Sequence, residues 1–122
     1  LGLARPKKIK QDLLTSISLF QDTEYCKNFP TNLINELNNP DNFRKYAGLI
    51  KARYKGDLEN LIYIAIDQLG HNGNLNWIDT SNITDMSDLF YDNKIFNGHI
   101  ELWDVSNVED FSRMFYNATK FN

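Results

Sequence analysis

The side chains able to do covalent or metal chemistry are few. Cys26 is the one cysteine, and His71 and His99 are the only histidines. A thiol nucleophile needs an imidazole to take its proton, but no nucleophile signature surrounds Cys26. Neither histidine stands in a metal-ligand spacing. The acids are more suggestive: Asp79, Asp85, Asp88 and Asp92, then Asp104, Glu109 and Asp110. A calcium loop would need Asp-x-Asp-x-Asn-Gly followed by a glutamate, and no window supplies it. An inverting glycosidase needs two carboxylates across one cleft. Here the acids recur at a fixed interval, so capping of backbone turns is the better assignment. Nothing resembles a phosphate loop. The expectation is a chain with no catalytic residue, no metal and no cofactor, hence not an enzyme.

The interval itself is the strongest signal. A shift of 25 residues aligns residues 71–97 with 96–122, and 11 of the 27 pairs are identical. They include Gly73/Gly98, Asp79/Asp104, Ser81/Ser106, Asn82/Asn107, Asp85/Asp110, Phe90/Phe115, Tyr91/Tyr116 and Phe96/Phe121. Leu75/Ile100, Ile83/Val108 and Leu89/Met114 keep their class. A period of 20 to 30 residues implies stacked coils.

Within one coil, Leu75-x-Trp77 and Ile100-x-Leu102 alternate as short strands should. Asp-x-Ser-Asn then turns the chain. Ile83 and Val108 bring it back to the core, and Leu89-Phe90 and Met114-Phe115 fill a compact turn. Phe96 and Phe121 close each coil. Stacked strands would pair in a parallel sheet about 4.8 Å apart. Asn82 and Asn107 would form a ladder, with Gly73 and Gly98 at the turns between coils. Trp77 and Trp103 are either core fillers or aromatics on a binding face.

Helices must hold these coils. Leu58, Leu61, Ile62, Ala65, Ile66 and Leu69 form one apolar stripe, with Asp57 as N-cap and Gly70 as C-cap. Tyr63 and Ile64 lie off that stripe, which suggests a helix covered on more than one side. Upstream, Pro6 with Ile9, Leu13, Ile17 and Phe20 reads as a helix, and Thr31 can cap a short one holding Leu33, Ile34 and Leu37. Asn39-Pro40 opens a third, running to about Lys55. The expected fold class is α+β. A helical region (1–55) precedes a helix-capped, leucine-rich-repeat-like solenoid of two coils (56–122).

The residues Trp103-Asp-Val-Ser-Asn-Val-x-Asp, then Phe111-Ser-x-Met-Phe-Tyr-x-Ala-x-x-Phe-Asn122, resemble the bacterial surface protein repeat. That family comprises BspA-like proteins with a degenerate leucine-rich repeat of about 25 residues. Ile78-Asp-Thr-Ser-Asn-Ile-Thr-Asp-Met-Ser-x-Leu-Phe is similar to the copy with which such arrays begin. The departures are Ile78 for tryptophan, Glu109 for threonine and Phe111 for methionine. The resemblance covers about residues 56–122. It implies a cell-surface or secreted, lipoprotein-like protein used for adhesion or protein binding, with a cytoplasmic location as the alternative.

Composition agrees with a folded chain. The 122 residues are 42% hydrophobic and 24% charged, and no apolar run reaches the roughly 18 residues of a membrane span. Residues 1–56 hold ten Lys or Arg against five Asp or Glu, a balance of +5, and residues 57–122 hold three against eleven, −8, which together make the net −3. The leading expectation is a non-enzymatic module that binds a protein partner, with Trp77, Trp103, Glu101, Asp79 and Asp104 as binding residues. Self-association through the open C-terminal coil is a second mode, because an unpaired edge templates pairing. The alternative is a nucleic-acid-associated or regulatory role for the basic half (Arg5, Lys7, Lys8, Lys10, Arg44, Lys45, Lys51 and Arg53), and nucleic acid is the less favoured partner. An array ending on an open coil is also expected either to continue past Asn122 or to be covered there.

Overall fold

The computed structural model describes residues 33–122. The helix expected around Ile9 to Phe20, the Thr31 cap, Cys26 and the basic residues Arg5 to Lys10 lie outside them. Regular structure is sparse. Helix α1 (Leu33–Asn38) leads into a single 3-10 turn (Pro40–Asn42), then strand β1 (Ile50–Lys51), helix α2 (Lys55–Leu69) and strand β2 (Ile78–Asp79). The two strands pair in parallel, Ile50 beside Ile78 and Lys51 beside Asp79.

The helix expected from Asn39 to Lys55 does not form. Asn39 and Pro40 start it correctly, the Asn39 side chain accepting from the Asp41 N–H at 3.0 Å. The chain then turns, leaves through Gly48 at φ +69°, and runs extended so that Gly48, Ile50 and Ala52 donate to the carbonyls of Asn76, Trp77 and Asp79 at 2.9 to 3.0 Å. Ile50 is fully buried by that pairing. A β-branched residue with a strand to join overrides a weak helical stripe.

Helix α2 begins two residues before the expected N-cap. Tyr54 holds the cap position with no side-chain bond, and Asp57 sits in the first turn. Its carboxylate reaches back to the Arg53 N–H at 3.0 Å and to the Arg53 guanidinium at 2.6 and 3.1 Å. Gly70 ends the helix at φ 90°, its N–H donating to the Ile66 carbonyl. Leu58, Leu61, Ile62, Ala65 and Leu69 are buried as the stripe predicts, while Tyr63, Ile64 and Ile66 are half-buried. Leu37, Ile50, Ala52, the α2 stripe and buried apolar residues of both repeat copies, from Leu75 and Trp77 to Trp103 and Met114, share one core.

The expected leucine-rich-repeat-like solenoid is corrected: the described residues make two helices and a two-stranded open sheet, with no solenoid sheet. Neither Leu75-x-Trp77 nor Ile100-x-Leu102 is a strand. The two copies meet at isolated parallel bridges, Asn74 with His99 and Asp85 with Asp110. Asp88, Asp92, Arg113 and Asn117 all have φ between 55° and 62°. At the expected strands the chain turns instead, the Ile78 N–H donating to the Leu75 carbonyl at 3.1 Å and the Trp103 N–H to the Ile100 carbonyl at 3.0 Å. The copies nevertheless lie side by side in parallel, joined by backbone hydrogen bonds and by Phe90 stacked on Phe115 and Phe96 on Phe121.

Candidate functional site

The surface best suited to contact is the outer side of the second copy. It is built from turns. In each copy an aspartate accepts from the N–H two residues on: Asp79 from Ser81, Asp85 from Ser87, Asp104 from Ser106 and Asp110 from Ser112, at 2.8 to 2.9 Å. The Ser106 and Ser112 hydroxyls add bonds of 2.6 Å to the same oxygens. Serine hydrogen bonds hold the Asp85, Asp104 and Asp110 carboxyls below the usual aspartate value, and Lys55, 3.7 Å from Asp85, adds to the effect there. Among the described residues, no group of three or more histidines, cysteines or acids is placed to hold a metal ion.

Trp77 is fully buried and donates its Nε1–H to the Asn74 carbonyl at 2.7 Å. Trp103 is also buried and donates to the Leu75 carbonyl at 2.8 Å. Both indoles face the core with their one polar group satisfied. Glu101 and Asp104 are exposed, and Asp79 is half-buried. Asn82 and Asn107 are both exposed, and the Asn107 side chain reaches across to the Ser81 carbonyl at 2.7 Å. Gly73 and Gly98 are buried at the turns into the first and second copies, and the His99 N–H donates to the Gly73 carbonyl at 2.9 Å.

A groove of about 460 Å³ opens beside these glycines, lined by Asn97, Gly98, His99, Ile100, Glu101 and Phe121. Within it His99 Nδ1 lies 3.2 Å from Glu101 Oε2. Burial pushes the Glu101 carboxyl up, but its own backbone N–H, His99 and Asn76 together hold it below the ordinary glutamate value. The pair is open to solvent and gives the groove a polar wall.

Two buried asparagines escaped the sequence reading. Asn74 donates to the Leu37 carbonyl at 2.8 Å and accepts from the Asn76 N–H at 2.7 Å, and the Asn76 Oδ1 accepts from the Leu102 N–H at 2.9 Å. Their partners at the 25-residue shift are His99 and Glu101. That change of residue type was the available signal: the first copy touches α1 here, and the second does not.

The outer side of the second copy is set apart by exposure. Phe111 is 48% exposed and Val105 42%, where their equivalents Met86 and Thr80 in the first copy are 0% and 1%. Tyr116 is 56% exposed. The acids Asp104, Glu109 and Asp110 of this copy are exposed as well.

Comparison with known proteins gives one match. The family model described as "Mycoplasma protein of unknown function, DUF285" matches residues 57–122. No curated protein and no solved structure matches. Among the described residues, no helix is long and apolar enough to cross a membrane.

Proposed function

The chain belongs to the DUF285 family, whose model spans over half of it, and from that premise we propose a non-enzymatic module that binds a protein partner. The binding surface in this reading is the outer side of the second copy. One observation carries it: Phe111 and Val105 are exposed where their first-copy equivalents Met86 and Thr80 are sealed, and Tyr116 is exposed beside Tyr91. Contiguous apolar surface rimmed by polar residues marks interaction sites. The recurrent acids are engaged in turns, so the reading assigns them no chemistry. The kinship with BspA-like surface repeats, suggested by the Trp-Asp-Val-Ser-Asn signature, supports a cell-surface or secreted location and an adhesive role.

Binding of the purified chain to intact cells, before and after protease shaving, tests the reading. Loss of binding on shaving, and with the double substitution Phe111→Ser and Tyr116→Ser at unchanged melting temperature, is the expected result. Binding restricted to nucleic acid and steeply weakened by salt would overturn it in favour of the basic half. Surface biotinylation of the native protein tests location separately.

A further inference from the structure

We infer that Asn97 is a site of spontaneous, backbone-assisted deamidation, and that its product loosens the second copy from the first.

The sequence holds two Asn-Gly pairs, Asn72-Gly73 and Asn97-Gly98, at the same place in the two copies. An asparagine before glycine is chemically labile, because no side chain hinders the glycine nitrogen from closing on the asparagine amide carbon. Packing keeps glycine at the second site. A Cβ on Gly98 would stand 2.7 Å from Phe96 Cε1 and 3.0 Å from the Gly73 carbonyl oxygen.

The fold separates the two pairs. The Gly73 N–H donates to the Gly70 carbonyl at 3.1 Å, which holds that nitrogen in place. The Gly98 N–H has no acceptor among the described residues. The amide under attack differs as well. The Asn122 N–H donates to Asn97 Oδ1 at 3.1 Å, on the oxygen where negative charge collects as the carbon is attacked. Among the described residues, no donor meets Asn72 Oδ1. This difference is set within each turn and not by what stacks beyond it. Under the second copy, Gly73 is engaged at its carbonyl, by the His99 N–H, and Asn72 stays exposed.

In the reaction, hydroxide takes the Gly98 amide proton and the nitrogen bonds to Asn97 Cγ. The Cγ–Nδ2 bond breaks, and Nδ2 leaves as ammonia with a proton from water. One water then opens the succinimide ring at either carbonyl, giving aspartate or isoaspartate. Net, one water is consumed and one ammonia released. Isoaspartate adds a methylene to the main chain between two bonds that join the copies, Asn97 N–H to the His71 carbonyl at 2.8 Å and His99 N–H to the Gly73 carbonyl at 2.9 Å. The new carboxylate also shares a groove with Glu101, like charge beside like.

The test keeps the full chain in mildly alkaline buffer, reads each site by peptide mapping, and labels isoaspartate with an isoaspartyl methyltransferase. In the folded chain Asn97 should convert at least about tenfold faster than Asn72. In urea, where the turns are lost, the two rates should converge. Asn97→Gln should remove the fast conversion, since a longer side chain closes its ring slowly. In the aged chain, amide exchange at Leu75 and His99 should quicken about tenfold, with no change at Leu61 in α2. Conversion of Asn72 as fast as Asn97 in the folded chain would overturn the assignment, and so would a difference that persists in urea. Conversion of Asn97 with exchange at Leu75 and His99 unchanged would overturn the loosening.

Discussion

Phe115 lies over Phe90, 25 residues earlier, with ring centroids 5.5 Å apart and planes 5° from parallel. Phe96 and Phe121 repeat the relationship at 5.6 Å, and within each copy the two rings stack at 4.0 and 4.3 Å. Four phenylalanines thus form a block in which each copy contributes one layer. The inner layer, Phe90 and Phe96, is fully buried, while the outer layer keeps a half-exposed side.

Truncation within this block should show the asymmetry. Phe90→Ala is expected to cost about 3–5 kcal/mol, as buried phenylalanines do. Phe115→Ala should cost roughly half as much, because less area leaves water there. Urea denaturation of both variants checks the order, and equal losses would contradict a one-sided block.

Acid should weaken the start of α2. Asp57 is held below the ordinary aspartate value first by the side-chain hydrogen bond from Arg53, against the opposing effect of burial. A carboxyl depressed in the folded state contributes stability above its unfolded value of about 3.9, and the contribution is lost as pH falls through the folded value. The melting temperature should therefore decline below about pH 4 through this group. Asp57→Asn should flatten part of that decline and lower stability at pH 7 by about 1 kcal/mol, since Arg53 is largely solvated.

Close packing at the turn into the first copy should make Gly73 intolerant of a side chain. A Cβ there would stand 2.7 Å from the Leu69 Cβ and 2.8 Å from the Leu69 carbonyl oxygen. Gly73→Ala is expected to lose about 1–3 kcal/mol, measured by thermal unfolding. A neutral result would mean that the end of α2 can shift freely against the first copy.

The two tryptophans should report the core and not the surface. With Trp77 0% and Trp103 9% exposed, acrylamide should quench the folded chain weakly and the unfolded chain strongly. Strong quenching of the folded state would place an indole on the outer side.

What the sequence determined by itself was periodic or local. The 25-residue shift, the α2 stripe from Leu58 to Leu69, Gly70 at its end and the Asp-x-Ser turns were legible because each depends on neighbours a few residues away or on repetition. The extended course of Ile50, the bond from Asp57 to Arg53, the burial of Asn74 and Asn76, and the inward aim of both indoles belong to the tertiary structure. Each is settled by a partner distant in sequence or by competition between local preferences: Ile50 takes its conformation from Trp77 and Ile78, and Asn74 is satisfied by Leu37. The expected sheet failed for a related reason. Alternating residues indicate which side chains face inward, but turns closed by the Ile78 N–H on the Leu75 carbonyl and the Trp103 N–H on the Ile100 carbonyl take the backbone out of a ladder there. Only the stacked copies show that the Met86, Asp88, Phe90 and Asp92 N–H groups donate to the second copy.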